Sequence, residues 1–154
     1  MIVFQVRGGL GGQLLEFHER TPPDPRRPIE RFKVRLAQAD LSADARVYLA
    51  ETEHHPGRFF DQMASNWRGW TGELSWESVD AALCLRAQQD RAGHVLIRIT
   101  LSSGSSDADW TVHASLAAEA GQLDALAREA ASFFGMASER AITPADRCQP
   151  TSAT

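Results

Sequence analysis

The most regular stretch of the chain is Arg31 to Leu36, where Phe32, Val34 and Leu36 alternate with Arg31, Lys33 and Arg35. A period of two belongs to a strand with one face buried and one face wet. The segment therefore predicts a half-buried strand whose outer face is cationic. Residues 2–6 and 14–19 predict two more strands. The glycines between Arg7 and Gly12 accept positive φ without steric cost, so a hairpin can form there. Thr21 to Pro28 carries four of the seven prolines and predicts a stiff excursion outside any sheet interior. A turn near Asp40 to Asp44 and a weaker alternation from Arg46 to Glu51 predict a partner for the Arg31 strand.

The period lengthens after Pro56, which suits the first turn of a helix because its missing N–H would be unpaired there anyway. Phe59, Phe60, Met63 and Trp67 follow at spacings of three to four, with Arg58, Asp61, Gln62 and Ser65 pointing away, and Gly69 is placed to end the helix. Alternation then returns three times. Ala81 to Ala87 turns Leu83 and Leu85 inward; Val95 to Leu101 turns in Val95, Ile97, Ile99 and Leu101; Trp110 to Leu116 turns in Trp110, Val112, Ala114 and Leu116. Asp90-Arg91-Ala92-Gly93 is a hairpin signal between the first two. A second helix is expected from about Glu119 to Phe134, capped by Gly135. The pattern predicts an α+β fold: one antiparallel sheet of about six or seven strands, with two helices packed on one face. The domain is expected over 1–136, with a flexible polar tail over 137–154.

Composition narrows the function classes. The chain has 154 residues, enough for one domain, and its hydrophobic and charged fractions of 43% and 23% are those of an ordinary globular protein. Sixteen Lys plus Arg against twenty Asp plus Glu give a formal charge of -4, which argues against nucleic-acid binding as the main activity. No window approaches the ~20 apolar residues of a spanning helix, and the first residues lack a secretory pattern. Cys84 and Cys148 do not make a disulfide framework. A cytoplasmic location and no membrane contact are expected.

Candidate chemistry is sparse. The run Gly8 to Gly12 is followed by LLEFHE, which reads as a strand, whereas a phosphate loop needs a helix whose N-terminus meets the phosphate. Glu51, Glu53, His54 and His55 form the densest group of possible metal ligands, yet the adjacent histidines diverge, and a solvated loop with His55 near the helix N-terminus is the simpler reading. No nucleophile elbow occurs, and Glu73, Glu77 and Asp80 have no evident base or metal partner. No catalytic residue, metal site or cofactor is assigned. His94 and His113 are expected on the polar side of adjacent strands, with Arg86, Arg98, Thr100 and Thr111.

Asn66 to Trp76, NWRGWTGELSW, packs three of the four tryptophans into eleven residues. Trp67 would extend the apolar stripe of the first helix and Trp70 would cover the edge of the core. The segment is then a structural corner, and truncating Trp67 would cost about 3–5 kcal/mol. The other reading is a recognition anchor.

This segment, together with Phe59-Phe60, Trp76-x-Ser78, Leu83-x-Leu85, Gly93-His94-Val95, Trp110 and Glu119-Ala120-Gly121-x-Leu123, resembles a family of small bacterial proteins of unknown function over about residues 45–135. In size and order of elements the chain is more loosely similar to immunity proteins that neutralise toxins of contact-dependent competition, including the WapI-type group. That likeness implies a non-enzymatic binding protein whose partner would be a protein such as a toxin domain. The surface expected to serve it is the open sheet face with Arg31, Lys33, Arg35, Arg86, Arg98 and His113. The alternative is a small-molecule pocket, binding or catalytic, between the first helix and the sheet and lined by Trp67, Trp70, Trp76 and His94.

Overall fold

A computed structural model of the chain describes residues 2–9, 12–51, 53–103 and 110–135. The tail expected over 137–154, and Cys148 with it, lies outside the described residues. The chain runs β1 (Phe4–Arg7), β2 (Leu14–Thr21), β3 (Arg31–Gln38), β4 (Leu41–Tyr48), α1 (Gly57–Ser65), β5 (Leu74–Glu77), β6 (Leu83–Gln89), β7 (His94–Ser102), β8 (Thr111–Glu119) and α2 (Leu123–Phe134). A single 3-10 turn, Ala120–Gln122, leads into α2.

The strands form two four-stranded antiparallel sheets, ordered β1-β2-β3-β4 and β5-β6-β7-β8. The single sheet of six or seven strands expected above is therefore wrong, and so is the placing of both helices on one face of it. The α+β character stands. Alternation tells a strand which face to bury but not which strand to pair with. Hairpins make each set of four local, and α1, lying between β4 and β5 in sequence, separates the two sets.

Two elements were misread. β4 begins at Leu41, after a two-residue turn at Ala39-Asp40, so the predicted strand at Arg46–Glu51 sits too far along the chain. β5, Leu74–Glu77, starts inside the tryptophan segment that reads as a corner and ends one residue beyond it, and pairs with β6 through Leu74↔Ala87 and Trp76↔Leu85.

Both inner faces enter one buried cluster: Phe4, Phe17, Phe32 and Leu36 from the first sheet, Leu83, Leu85, Ile97 and Ile99 from the second, and residues of both helices. Phe60 of α1 meets Phe4 and Phe17 edge-on, with ring centroids 5.0 and 6.2 Å apart. Phe134 of α2 meets Phe17 and Phe32 at 5.7 and 5.3 Å. Such edge-to-face pairs add to the area buried. The glycine run closes the β1–β2 hairpin as expected, and it also ties the sheets together, because the Gly9 N–H donates to the Ala117 carbonyl of β8 at 3.2 Å. Among the described residues, no helix is long and apolar enough to cross a membrane.

Candidate functional site

Arg31, Lys33 and Arg35 lie on the outer face of the first sheet, as their alternation dictates. β3 is an inner strand, and its neighbours supply carboxylates. Lys33 Nζ is 3.2 Å from Glu19 Oε1, Arg35 Nε is 3.1 Å from Asp44 Oδ1, and Arg35 Nη1 is 3.9 Å from Glu16 Oε1. A bulge after His18, where Glu19 takes φ 48°, carries the Glu19 carboxylate onto this face. Two of the three cations are thus matched within their own sheet. Arg31 lies opposite Tyr48 at the end of the ladder.

The second sheet differs. Its outer face carries two cross-strand rows, Ser75–Arg86–Arg98–Ser115 and Glu77–Cys84–Thr100–His113. Arg86 and Arg98 are direct neighbours across the ladder, an arrangement that places like charges side by side at a net cost. Among the described residues neither is held in an ion pair. The pKa of Arg86 is raised, first by a hydrogen bond with Cys84, with Glu73 and Glu77 adding their charge. His113 Nδ1 lies 3.2 Å from Thr100 Oγ1. Glu77, Cys84, Arg86, Arg98, Thr100 and His113 line a shallow concavity of about 530 Å³.

The six residues expected on one surface are therefore divided between the outer faces of two sheets. His94 and His113 are also apart: His94 pairs with Glu119 at one end of the β7–β8 ladder and His113 with Thr100 toward the other. The His94 Nδ1 is 3.0 Å from Asp90 Oδ2, and this hydrogen bond holds the imidazolium above its usual pKa.

The tryptophans separate by role. Trp76 is the buried one, at 5% exposure on β5, under the stacked ring of His54 at 5.4 Å. Trp70 is half-buried and donates its Nε1–H to the Ala87 carbonyl at 3.1 Å. Trp67 is 51% exposed, because α1 stops at Ser65 before the apolar stripe reaches it, so it is not the core residue expected. Trp67 and Trp70 line an open notch of about 550 Å³ with Arg68 and the β6–β7 hairpin. Trp76 and His94 do not line it, so the pocket expected from four residues keeps two. The contributions of Arg68, Gln89 and Arg91 were missed. Asp90 and Gly93 already marked that hairpin, but nothing in the sequence says that it meets the turn after α1.

Of the four possible metal ligands, His55 is buried and uses Nδ1 to accept the Gly57 N–H at 3.1 Å, at the start of α1. His54 Nε2 lies 3.2 Å from the Glu77 carbonyl. Among the described residues, no group of three or more His, Cys, Asp and Glu side chains could hold a metal ion.

No curated protein and no solved structure matches the chain. A family does: residues 8–137 match DUF6228, a family of unknown function, which takes in both sheets and both helices apart from β1. The tryptophan segment, the Gly93-His94-Val95 hairpin and the approach to α2 that carry the resemblance all fall inside this span, and the chain belongs to DUF6228.

Proposed function

We propose that the protein is a non-enzymatic binding protein that holds an acidic surface of a protein partner on the outer face of the β5–β8 sheet, through Arg86, Arg98 and His113. The observation that carries this reading is the Arg86–Arg98 pair, two guanidiniums on neighbouring strands that are held in no ion pair among the described residues, with Glu73 and Glu77 acting on Arg86 only through their charge. An anionic partner relieves their repulsion and gains charge-assisted hydrogen bonds, which arginine's fork makes to carboxylates in pairs. Arg31, Lys33 and Arg35 are secondary, since two of them already have carboxylate partners. An immunity role, with a toxin domain as the acidic partner, is the specific form of this reading. The small size and sheet-borne charge patch support it.

The test is a pull-down from the source cells with three forms of the protein, followed by affinity measurement on the partner recovered. Arg86→Glu/Arg98→Glu weakens binding at least about 100-fold, in line with the loss of two charge-assisted contacts. Arg31→Glu/Lys33→Glu/Arg35→Glu changes it by less than about 10-fold. Full retention by the first variant removes the surface assignment. If a partner is a toxin domain, it comes down with the wild type and its activity falls on mixing.

A further inference from the structure

The core aromatics of this fold rest on other rings, whereas Trp67 and Trp70 do not stack on any aromatic neighbour among the described residues. They flank the notch between the turn after α1 and the β6–β7 hairpin. The Arg68 guanidinium lies over one face of the Trp67 ring, 5.2 Å from its centre, a cation–π contact that holds a positive charge against the exposed indole. Arg91 faces the same notch from the hairpin. Among the described residues neither arginine is held in an ion pair.

Asp90, the one carboxylate among the described residues that line the notch, is already engaged. Asp90 Oδ1 accepts the N–H groups of Ala92 and His94, each at 2.9 Å, and Oδ2 meets the His94 ring. In a chain of formal charge -4, the notch is therefore a local positive site with aromatic walls. Gln89 donates Nε2 to the Trp67 carbonyl at 3.1 Å, and its Oε1 has no hydrogen-bond partner among the described residues. Space remains above the backbone: a Cβ added at Gly69 or Gly93 would meet nothing closer than 3.7 Å. About 550 Å³ is within the range of small-ligand sites.

We propose that this notch is a second binding site, for a small ligand that joins a planar ring to an anionic group, as nucleoside monophosphates and aryl carboxylates do. The ring lies against the face of the Trp67 indole that Arg68 does not cover, where any flat π-face is accepted. Arg68 and Arg91 take the anionic group, in the manner that guanidinium groups take phosphate or carboxylate.

The test is isothermal titration of the full chain with AMP and benzoate as ring-plus-anion probes, adenosine as the ring alone and inorganic phosphate as the anion alone. AMP or benzoate binds saturably, and about tenfold or more tighter than either half-ligand. Which of the two binds better tells a phosphate-bearing ring from a carboxylate-bearing one. Trp67→Ala abolishes the binding, Arg68→Ala/Arg91→Ala weakens it at least about tenfold, and Arg86→Glu/Arg98→Glu leaves it intact. Circular dichroism checks that each variant is folded. The proposal is overturned if neither AMP nor benzoate binds saturably at millimolar concentration, if Trp67→Ala binds as well as the wild type, or if phosphate alone binds as tightly as AMP.

Discussion

His55 is buried where a charged imidazole would have no compensation. Its ring lies flat on Phe134, with centroids 5.0 Å apart and planes 5° from parallel, and its Nδ1 accepts the Gly57 N–H in the first turn of α1. That hydrogen bond needs a bare nitrogen, so the neutral form is built into the helix start. Burial pushes the pKa from 6.5 down to about 4, with Arg58, His54 and Arg20 adding positive charge nearby. The unfolded chain protonates His55 below about pH 6.5 while the folded chain does not, so the stability it confers is full above that pH. It is lost as pH falls toward 4, by at most about 3 kcal/mol. Urea unfolding at stepped pH should show the midpoint falling across this window, and His55→Gln should flatten the fall. An unchanged slope in that variant would assign the pH dependence elsewhere. The sequence places His55 at the helix entry but cannot reveal the stacking, because Phe134 lies 79 residues away, a distance that only the fold closes. Trp67 fails in the opposite sense: its spacing continues the helix, and the helix ends first.

At the scale of elements, strict alternation was a dependable guide wherever it was unbroken. Phe32, Val34 and Leu36 of β3, Leu83 and Leu85 of β6 and Val95, Ile97, Ile99 and Leu101 of β7 are all buried. It misleads where one residue is inserted. The bulge in β2 reverses the inward set, so that Glu19 faces outward and Arg20 is buried. Arg20 then serves as a staple for the proline excursion. Its Nη1 donates to the carbonyls of Pro22 at 2.7 Å and Asp24 at 2.5 Å, and its Nη2 to those of Arg27 at 3.1 Å and Phe134 at 3.4 Å. The excursion is thereby pinned to the end of α2, where Gly135 takes φ 76° and any Cβ would collide with the Pro25 carbonyl oxygen. Gly135 was legible as a cap, but its second duty to the proline segment was not. Gly135→Ala should therefore cost more than the ~1 kcal/mol of a positive-φ glycine alone. It should also free the excursion, so that trypsin cuts after the exposed Arg26, whose bond to Arg27 is cleavable whereas Arg27–Pro28 is not, faster than in the wild type while cleavage at the other described Lys and Arg residues is unchanged. Equal cleavage rates would mean that the excursion does not depend on this contact.

The whole molecule is a unit of four strands and one helix written twice, β1–β4 with α1 and β5–β8 with α2. The repeat is hidden in the sequence because β5 is only four residues long and lies among the tryptophans. The two units are not separate bodies energetically. The second helix brings Phe133 and Phe134 onto Phe17 and Phe32 of the first sheet, and the buried cluster runs through both sheets without a break. A chain whose apolar surface is shared in this way should unfold in one transition. The arrangement of tryptophans makes this easy to test, because all four lie beyond α1, whereas Phe17 lies in the first sheet. Phe17→Ala should remove about 3–5 kcal/mol. If the core is common, tryptophan fluorescence and far-ultraviolet circular dichroism will give the same denaturant midpoint, and the variant will lower both equally. A fluorescence transition that stays in place while the circular dichroism splits into two steps would show that the second unit stands without the first. The shared aromatic cluster would then be a docking contact between two cores.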